Sequence, residues 1–311
     1  MLNILYCLDE NYNYQALTSI ISVLDSSTEK LNIFIIHKNP KSLNNLPNKI
    51  IEHSNLNDIK IIKFEAKNKY FPNIENTHIS EATYYRLYIE NLLPNNIDQV
   101  LYLDCDVICI NDPIEAISNL SKKTKESKNI IAVKTEFVKD NENREFFENL
   151  NSNLKRYFNA GVMYIDLKRW RKFNVEKKSL KIIEEKQKDL LYWDQDVLNI
   201  LFENRYLEIE EKLNFKVGGD RLYTNELTVS NSEIFIHYMG SKKPWTLEGL
   251  IDKNSSYYQL NFMKIYQNNY HIVNNWRMYS LFLFIKNTIN FKLIKNTKYL
   301  VMMKSYIKSL F

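Results

Sequence analysis

The stretch Leu101–Ile110, LYLDCDVICI, sets two carboxylates, Asp104 and Asp106, inside an otherwise apolar run. Such a run has the composition of a central strand covered on both faces, where an unpaired carboxylate is costly to bury, so something must compensate both charges. Alternate residues of a strand share a face, and this spacing predicts that the two Asp side chains point the same way. Two hard oxygen ligands converging on one point suit Mg²⁺ or Mn²⁺, ions that keep positions for water and substrate phosphate. For an isolated pair of this kind the alternative is a strand-end turn, in which each Asp accepts from nearby backbone amides.

Three other stretches carry more polarity than core segments should: YFNAGVMYIDLKRW at Tyr157–Trp170, YWDQDVLNILF at Tyr192–Phe202, and FIHYMGSKKPW at Phe235–Trp245. In the last, His237 closes a strand and offers a nitrogen ligand to a cation already held by two carboxylates. Gly240 permits close backbone approach, and Lys243 offers a positive charge to phosphate oxygens. Taken singly, these are a satisfied core His, a turn Gly and a surface Lys.

The elements that must position these residues follow from hydrophobic periodicity. Residues 1–110 alternate strand-like and helix-like patterns, the signature of an α/β protein with a mostly parallel central sheet flanked by helices. Strands are predicted near Asn3–Leu8, Leu31–Ile36, Ile59–Phe64 and Gln99–Leu103, with helices near Tyr14–Leu24, Lys41–Glu52 and Glu81–Asn91. A strand at Ile130–Val133 precedes a polar segment, Lys139–Asn153, expected to be mobile. Then come Gly161–Leu167, helical stretches at Val175–Lys188 and Asp194–Phe202, and a short strand at Glu233–His237. In such sheets ligands bind outside the carboxyl ends of the strands, which is where Asp104 and Asp106 fall. No G-x-G-x-x-G or Walker A sequence is present, which excludes the ordinary dinucleotide fold and the P-loop enzymes.

Together with LYLDCDV, and in this order, these motifs resemble glycosyltransferase family 8, the nucleotide-sugar transferases typified by bacterial lipooligosaccharide α-galactosyltransferases and including glycogenin. The resemblance runs from CLDENY at Cys7–Tyr12 through HISEATYYRLYI at His78–Ile89 to HYMGSKKPW, about the first four-fifths of the chain. It implies a single GT-A-type nucleotide-sugar-binding domain, assigned here to residues 1–252. It also implies a Mn²⁺ ion, with Mg²⁺ as the substitute, held by Asp104, Asp106 and His237 and gripping the diphosphate of a UDP-sugar. Cys105, Gly240 and Lys243 would line the same donor site, while Asp9, Asn11 and Tyr12 resemble the uracil-reading residues. Capping of the following helix is the other use of Asp9. By the same resemblance Arg86 contacts the sugar and phosphate region, and Asn159, Asp194 and Gln195 hydrogen-bond the donor sugar or face its anomeric carbon.

Members of this family retain anomeric configuration. Double displacement needs a carboxylate nucleophile; the position the family places nearest is Gln195, whose amide is a poor one, and Asp194 is the substitute. Same-face attack by the acceptor, with the leaving phosphate oxygen taking the proton, is the preferred expectation. The departures from the family pattern fall on the acceptor side. Thr135 replaces a carboxylate, with Glu136 next door, and Trp193 replaces a smaller polar residue. His78 matches an acceptor-side position, with a structural cap as its other use. The acceptor and the choice between galactose and glucose are therefore open.

The chain carries a net charge of +5, yet nine cations and no acid follow Asp252, so residues 1–252 are net acidic. Residues 253–311 are predicted to form a helical, basic and aromatic region. Its longest apolar run, Tyr279–Ile285, is too short to span a bilayer. Met303, Ile307 and Leu310 fall on one helical face and Lys304 and Lys308 on another, which predicts a helix lying on an anionic membrane surface. Packing on the domain is the alternative, and no nucleic acid is expected because the acidic body would oppose it. Cys7, Cys105 and Cys109 read as buried reduced thiols, and the absence of an export signal adds to the expectation of a cytoplasmic protein on the inner face of the membrane.

The expected activity is transfer of galactose or glucose from a UDP-sugar to a saccharide acceptor, lipid-linked in lipopolysaccharide or related surface-glycan synthesis. A glycogenin-like self- or protein-glycosylating enzyme and a non-catalytic, membrane-docked nucleotide-sugar binder are the competing readings.

Overall fold

The run Leu2–Leu8 (β1) is buried from Ile4 onward on both faces, and its alternate residues divide between two cores. Leu5 and Cys7 join one apolar cluster with Phe34, Tyr102 and Met163, while Ile4, Tyr6 and Leu8 join another with Ile33, Leu101 and Val162. This division by residue parity is what a sheet covered on both sides requires. The computed structural model describes residues 1–65, 71, 80–150, 152–186, 188–218, 226–274 and 277–310; the expectation for His78 lies outside them.

The main sheet adds β2 (Leu31–His37), β3 (Leu56–Lys63), β4 (Gln99–Leu103), β6 (Ile131–Val138), β7 (Arg156–Asp166) and β8 (Leu207–Glu208), in the order β3-β2-β1-β4-β7-β6-β8. Strands β1 to β4 run parallel, and β7 is antiparallel to both β4 and β6. A smaller sheet joins β5 (Val107–Cys109), β10 (Phe235–Met239) and β9 (Phe215–Gly218), with β10 in the middle. The mostly parallel α/β architecture is as expected, and a helical C-terminal region follows it.

The apolar run that opened the sequence analysis is not one strand. It leaves the main sheet at Leu103, turns over Asp104–Val107, where the Val107 amide donates to the Asp104 carbonyl at 3.1 Å, and enters the smaller sheet. Asp104 and Asp106 therefore approach each other through a turn between two sheets, not through strand alternation.

Two predicted helices are also rebuilt. The Lys41–Glu52 pattern becomes a short 3₁₀ turn, Pro40–Leu43, and a single helical turn, Asn48–Ile51, separated at Pro47, since proline lacks the amide a continuous helix needs and restricts the residue before it. Glu81–Tyr88 winds as a 3₁₀ helix capped by the Ser80 side chain. With three residues per turn, positions i and i+3 eclipse, so Thr83 and Arg86 leave the helix on one side. The polar segment after Lys139 holds a helix, Arg144–Asn149, anchored by Phe147, Leu150 and Leu154 against Tyr157; polarity masked a small apolar cluster there.

After Asp252 the helix Ser255–Ile265 packs on the helix Asn13–Ser26, with Tyr14 edge-on to Tyr266 and Lys264 paired to Asp25. The helices Arg277–Ile289, Lys292–Asn296 and Tyr299–Ser309 follow. Leu293, Met302 and Tyr306 are buried against Leu247, Leu250 and Ile272, and Phe284 stacks on Tyr306 with centroids 4.4 Å apart. The last helix thus buries Met302, Ser305 and Tyr306 and packs Leu310 beside them; of the predicted face Met303, Ile307 and Leu310, Ile307 is exposed. No described helix is long and apolar enough to cross a membrane.

His271 lies within this C-terminal packing, stacked on Phe262 and 2.6 Å from the Tyr258 hydroxyl through Nδ1. Burial lowers its pKa to about 4. An unfolded imidazole titrates near 6.5, so below that pH the unfolded chain binds the extra proton, and stability is lost as pH falls toward the folded value. Between about pH 7 and about pH 5, the wild-type chain is expected to lose about 2 kcal/mol more stability than His271→Phe, read from urea midpoints. Equal losses in the two chains would remove His271 as the cause.

Candidate active site

Asp104 follows β4, Asp106 closes the turn into β5, and His237 sits in the middle of β10, opposite Val107. One ligand atom from each of the three lies within 4.8 Å of the others. Lys243 Nζ donates to Asp106 Oδ2 at 2.6 Å and to the Tyr238 carbonyl at 2.7 Å. Burial pushes the Asp106 carboxyl up, but Lys243 beside it outweighs burial and holds the group well below the usual carboxylate range.

The other oxygen, Asp106 Oδ1, is buried without a hydrogen-bond partner, although His237 Nε2 is only 3.3 Å away. His237 Nδ1 lies 3.0 Å from Asn214 Oδ1. An amide oxygen only accepts, so Nδ1 carries the ring proton and Nε2 presents a lone pair. Two lone pairs thus face each other beside a third ligand, Asp104. That donor set, two carboxylate oxygens and one imidazole nitrogen, fits a divalent cation such as Mn²⁺ or Mg²⁺.

The floor of this cluster is Gly161, inside β7. A Cβ placed there would lie 2.2 Å from His237 Cε1, 2.8 Å from its Nε2 and 2.9 Å from Asp104 Oδ2. The Asp104 amide donates to the Gly161 carbonyl at 2.8 Å, which locks the strand against the turn. Sequence reasoning quoted NAGVMYID but did not single out Gly161; its signal was a glycine within an apolar strand, a mark of close approach.

Arg86 is buried and joins three elements. Its Nε donates to Asp194 Oδ2, and its Nη1 donates to the Ala160 carbonyl at 2.7 Å and to Asp104 Oδ1 at 3.2 Å. The guanidinium also lies 4.8 Å from the Tyr102 ring centroid, and the Tyr102 hydroxyl donates to Asp104 at 2.5 Å. Thr83, one 3₁₀ turn before Arg86, donates to the remaining Asp194 oxygen. Both Asp194 oxygens are therefore engaged. Burial pushes this carboxyl up, against the pull of Arg86.

Asp194 and Gln195 stand in the first turn of the helix Trp193–Phe202, and Trp193 has a left-handed φ of 49°. Gln195 Oε1 accepts from the Ala160 amide at 2.8 Å, and its Nε2 donates to the Tyr157 hydroxyl at 3.2 Å. Asn159 Nδ2 donates to Glu136 Oε2 at 3.3 Å. Thr135 faces away from Asn159, bonding to Tyr206 and Glu208. Of the two residues at the acceptor-side departure, Glu136 is the one turned toward the cluster.

At the end of β1, Asp9 is a cap: its Oδ1 accepts from the Asn11 amide at 2.9 Å and its Oδ2 from the Ser80 hydroxyl. Asn11 is exposed and Tyr12 half-buried. Burial, then Asp106, Cys105, Asp9 and Asp104, push the Tyr12 phenol well up. Cys105 is a buried free thiol, also pushed well up by burial and then by Asp104 and Asp106. Gly240 adopts φ 72°, a conformation that favours glycine.

A mostly parallel sheet with acidic and cationic groups gathered at the carboxyl ends of β1 and β4, and a second small sheet carrying the histidine, is a GT-A-type α/β architecture. Residues 3–249 match the sequence profile described as Glycosyl transferase family 8, and the chain belongs to that family. A lipopolysaccharide 1,2-glucosyltransferase of Escherichia coli K12 is 31% identical over 258 residues, 78% of this chain and 72% of that protein. A lipopolysaccharide 1,3-galactosyltransferase of Salmonella typhimurium is 27% identical over 251 residues, covering 78% of this chain and 72% of its own length. Among solved structures, the galactosyltransferase LgtC in complex with donor and acceptor sugar analogs superposes with a TM-score of 0.69 at 22% identity, covering 85% of this chain and 96% of that one.

Proposed function

We propose that the protein is a metal-dependent, retaining hexosyltransferase that moves galactose or glucose from a UDP-sugar to a saccharide acceptor in lipopolysaccharide or related surface-glycan synthesis. The observation that carries this reading is the convergence of His237 Nε2 and the unpartnered Asp106 Oδ1 beside Asp104. A cation bound there supplies Lewis-acid stabilisation of the charge that develops on the departing diphosphate. Lys243, held beside Asp106, adds a second positive charge at the same end of the site. The half-buried Tyr12 offers a face to a base, and Asp9 and Asn11 line the same strand end.

The engagement of both Asp194 oxygens favours a role for this residue as an anchor of Arg86, not as a nucleophile. Gln195 is neutral and spends its oxygen on Ala160. Same-face attack follows: the acceptor oxygen bonds to the anomeric carbon on the side the diphosphate leaves, and the leaving phosphate oxygen takes the acceptor proton. The test is a panel of UDP-, GDP- and CMP-sugars with Mn²⁺ or EDTA, read as nucleotide release with and without galactoside acceptors. Mn²⁺-dependent release from one UDP-hexose is expected; release unaffected by EDTA, or from a GDP- or CMP-sugar alone, would overturn the reading.

The C-terminal helices support docking of the enzyme on the inner face of the cytoplasmic membrane, where lipid-linked acceptors are met. Met278, Phe282, Ile289, Phe291 and Leu300 are each more than half exposed and are interleaved with Lys286, Lys292, Lys295 and Lys298, a pattern that suits an anionic lipid surface. The triple substitution Phe282→Ser, Ile289→Ser and Leu300→Ser is expected to cut co-sedimentation with phosphatidylglycerol vesicles at least about tenfold, with the thermal midpoint unchanged. Undiminished sedimentation would place any lipid contact elsewhere.

A further inference from the structure

His237 is oriented by a chain of buried amides that reaches across to the acceptor-side strand. Asn214, 1% exposed, stands between the short helix Glu211–Leu213 and β9, the strand paired with β10. Its Oδ1 meets His237 Nδ1 at 3.0 Å, and its Nδ2 donates to Asn159 Oδ1 at 3.1 Å. Asn159 Oδ1 also accepts from the Gly161 amide at 3.0 Å, while Asn159 Nδ2 points at Glu136 Oε2. Glu136 is itself paired with Lys216, at 3.0 Å.

Two members of this chain have only one possible role. The Gly161 N–H can only donate, and the Glu136 carboxylate, charged beside Lys216, can only accept. Together they allow Asn159 one orientation, with its oxygen toward Gly161 and its nitrogen toward Glu136. Asn214 must then turn its nitrogen to Asn159 and its oxygen to His237, which leaves the ring proton on Nδ1. We infer that Asn214 is a positioning residue that fixes the Nδ1–H tautomer of His237, with Asn159, Gly161 and Glu136 setting its direction, so that Nε2 is held as a free ligand nitrogen. The consequence for the cation rests on the proposed metal centre; the tautomer does not. Partners of this kind on ligating histidines set ring orientation and basicity, and their loss typically costs about 10–100-fold in metal affinity.

The experiment is a long-range ¹⁵N–¹H correlation spectrum of the metal-free chain at mildly alkaline pH, followed by calorimetric titration with Mn²⁺ alone. The wild-type chain is expected to show the Nδ1–H form of His237. Asn214→Leu is expected to shift that ring toward Nε2–H and to weaken Mn²⁺ binding about 10–100-fold. Asn214→Asp keeps an oxygen opposite Nδ1 but turns a second one on Asn159 Oδ1; it is expected to retain the wild-type Nδ1–H form at lower stability, a separation that a merely space-filling role would not produce. An Nε2–H form in the wild-type chain overturns the inference without any variant, and so does an unchanged tautomer in folded Asn214→Leu. If wild type binds no Mn²⁺, the metal centre fails as a reading while the spectrum still decides the role of Asn214.

Discussion

Gly161→Ala is expected to lower Mn²⁺ affinity by more than about 100-fold while leaving the chain folded, because the added methyl enters the space between the ligands and forces one of them aside. The methyl carbon would lie 2.2 Å from His237 Cε1. The ring is 3% exposed and tied through Nδ1 to Asn214, so it makes room only by leaving its ligand position. The backbone is held more firmly, since the Gly161 carbonyl accepts from Asp104 and its amide donates to Asn159. Overpacking of this kind costs about 1–3 kcal/mol of stability, which most folded domains survive, whereas a ligand displaced by an ångström no longer coordinates. Calorimetric Mn²⁺ titration beside a thermal melt measures both; wild-type affinity in Gly161→Ala would remove the cluster as the cation site.

Arg86→Leu is expected to destabilise the fold by about 3–5 kcal/mol, the cost of leaving a buried charge without its partner. Asp194 is 1% exposed and relies on Arg86 and Thr83 for its two oxygens. Replacing both members, Arg86→Leu with Asp194→Leu, is expected to recover much of that loss, because an apolar pair carries no desolvation penalty. Urea denaturation of the two single variants and the double variant reads the coupling directly. Additive losses would mean that Arg86 stabilises the fold through Ala160 and Tyr102, not through the ion pair. Arg86 also bonds Asp104, so the single variant is expected to lose turnover with its stability.

Much of the frame was legible because burial on two faces leaves a plain mark. The runs Ile4–Leu8 and Val100–Leu103 are apolar throughout, and both lie in central strands. The chemistry of Asp104 and Asp106 was legible from residue type, since two carboxylates in an apolar run need a counter-charge. How they converge was not, because a turn between two sheets leaves the same letters as a strand. The Lys41–Glu52 helix failed at Pro47, a breaker outweighed by the periodicity around it. Asn214 was missed for a different reason: it comes 23 residues before His237, and only the pairing of β9 with β10 brings them together. The C-terminal helix was legible as a helix, but Met302, Met303, Tyr306 and Ile307 are all apolar, and only the docking of Tyr306 on Phe284 selects the ones that pack on the protein.

The measurement that tests the central claim most directly is calorimetric titration of UDP into the full chain, once with Mn²⁺ and once with EDTA. Binding that is saturable with Mn²⁺ and at least about 100-fold weaker in EDTA is the predicted result, since the acids of this site repel a diphosphate without a cation between them. Equal affinity for UDP in both titrations would contradict a site in which Asp104, Asp106 and His237 hold the diphosphate through a divalent ion.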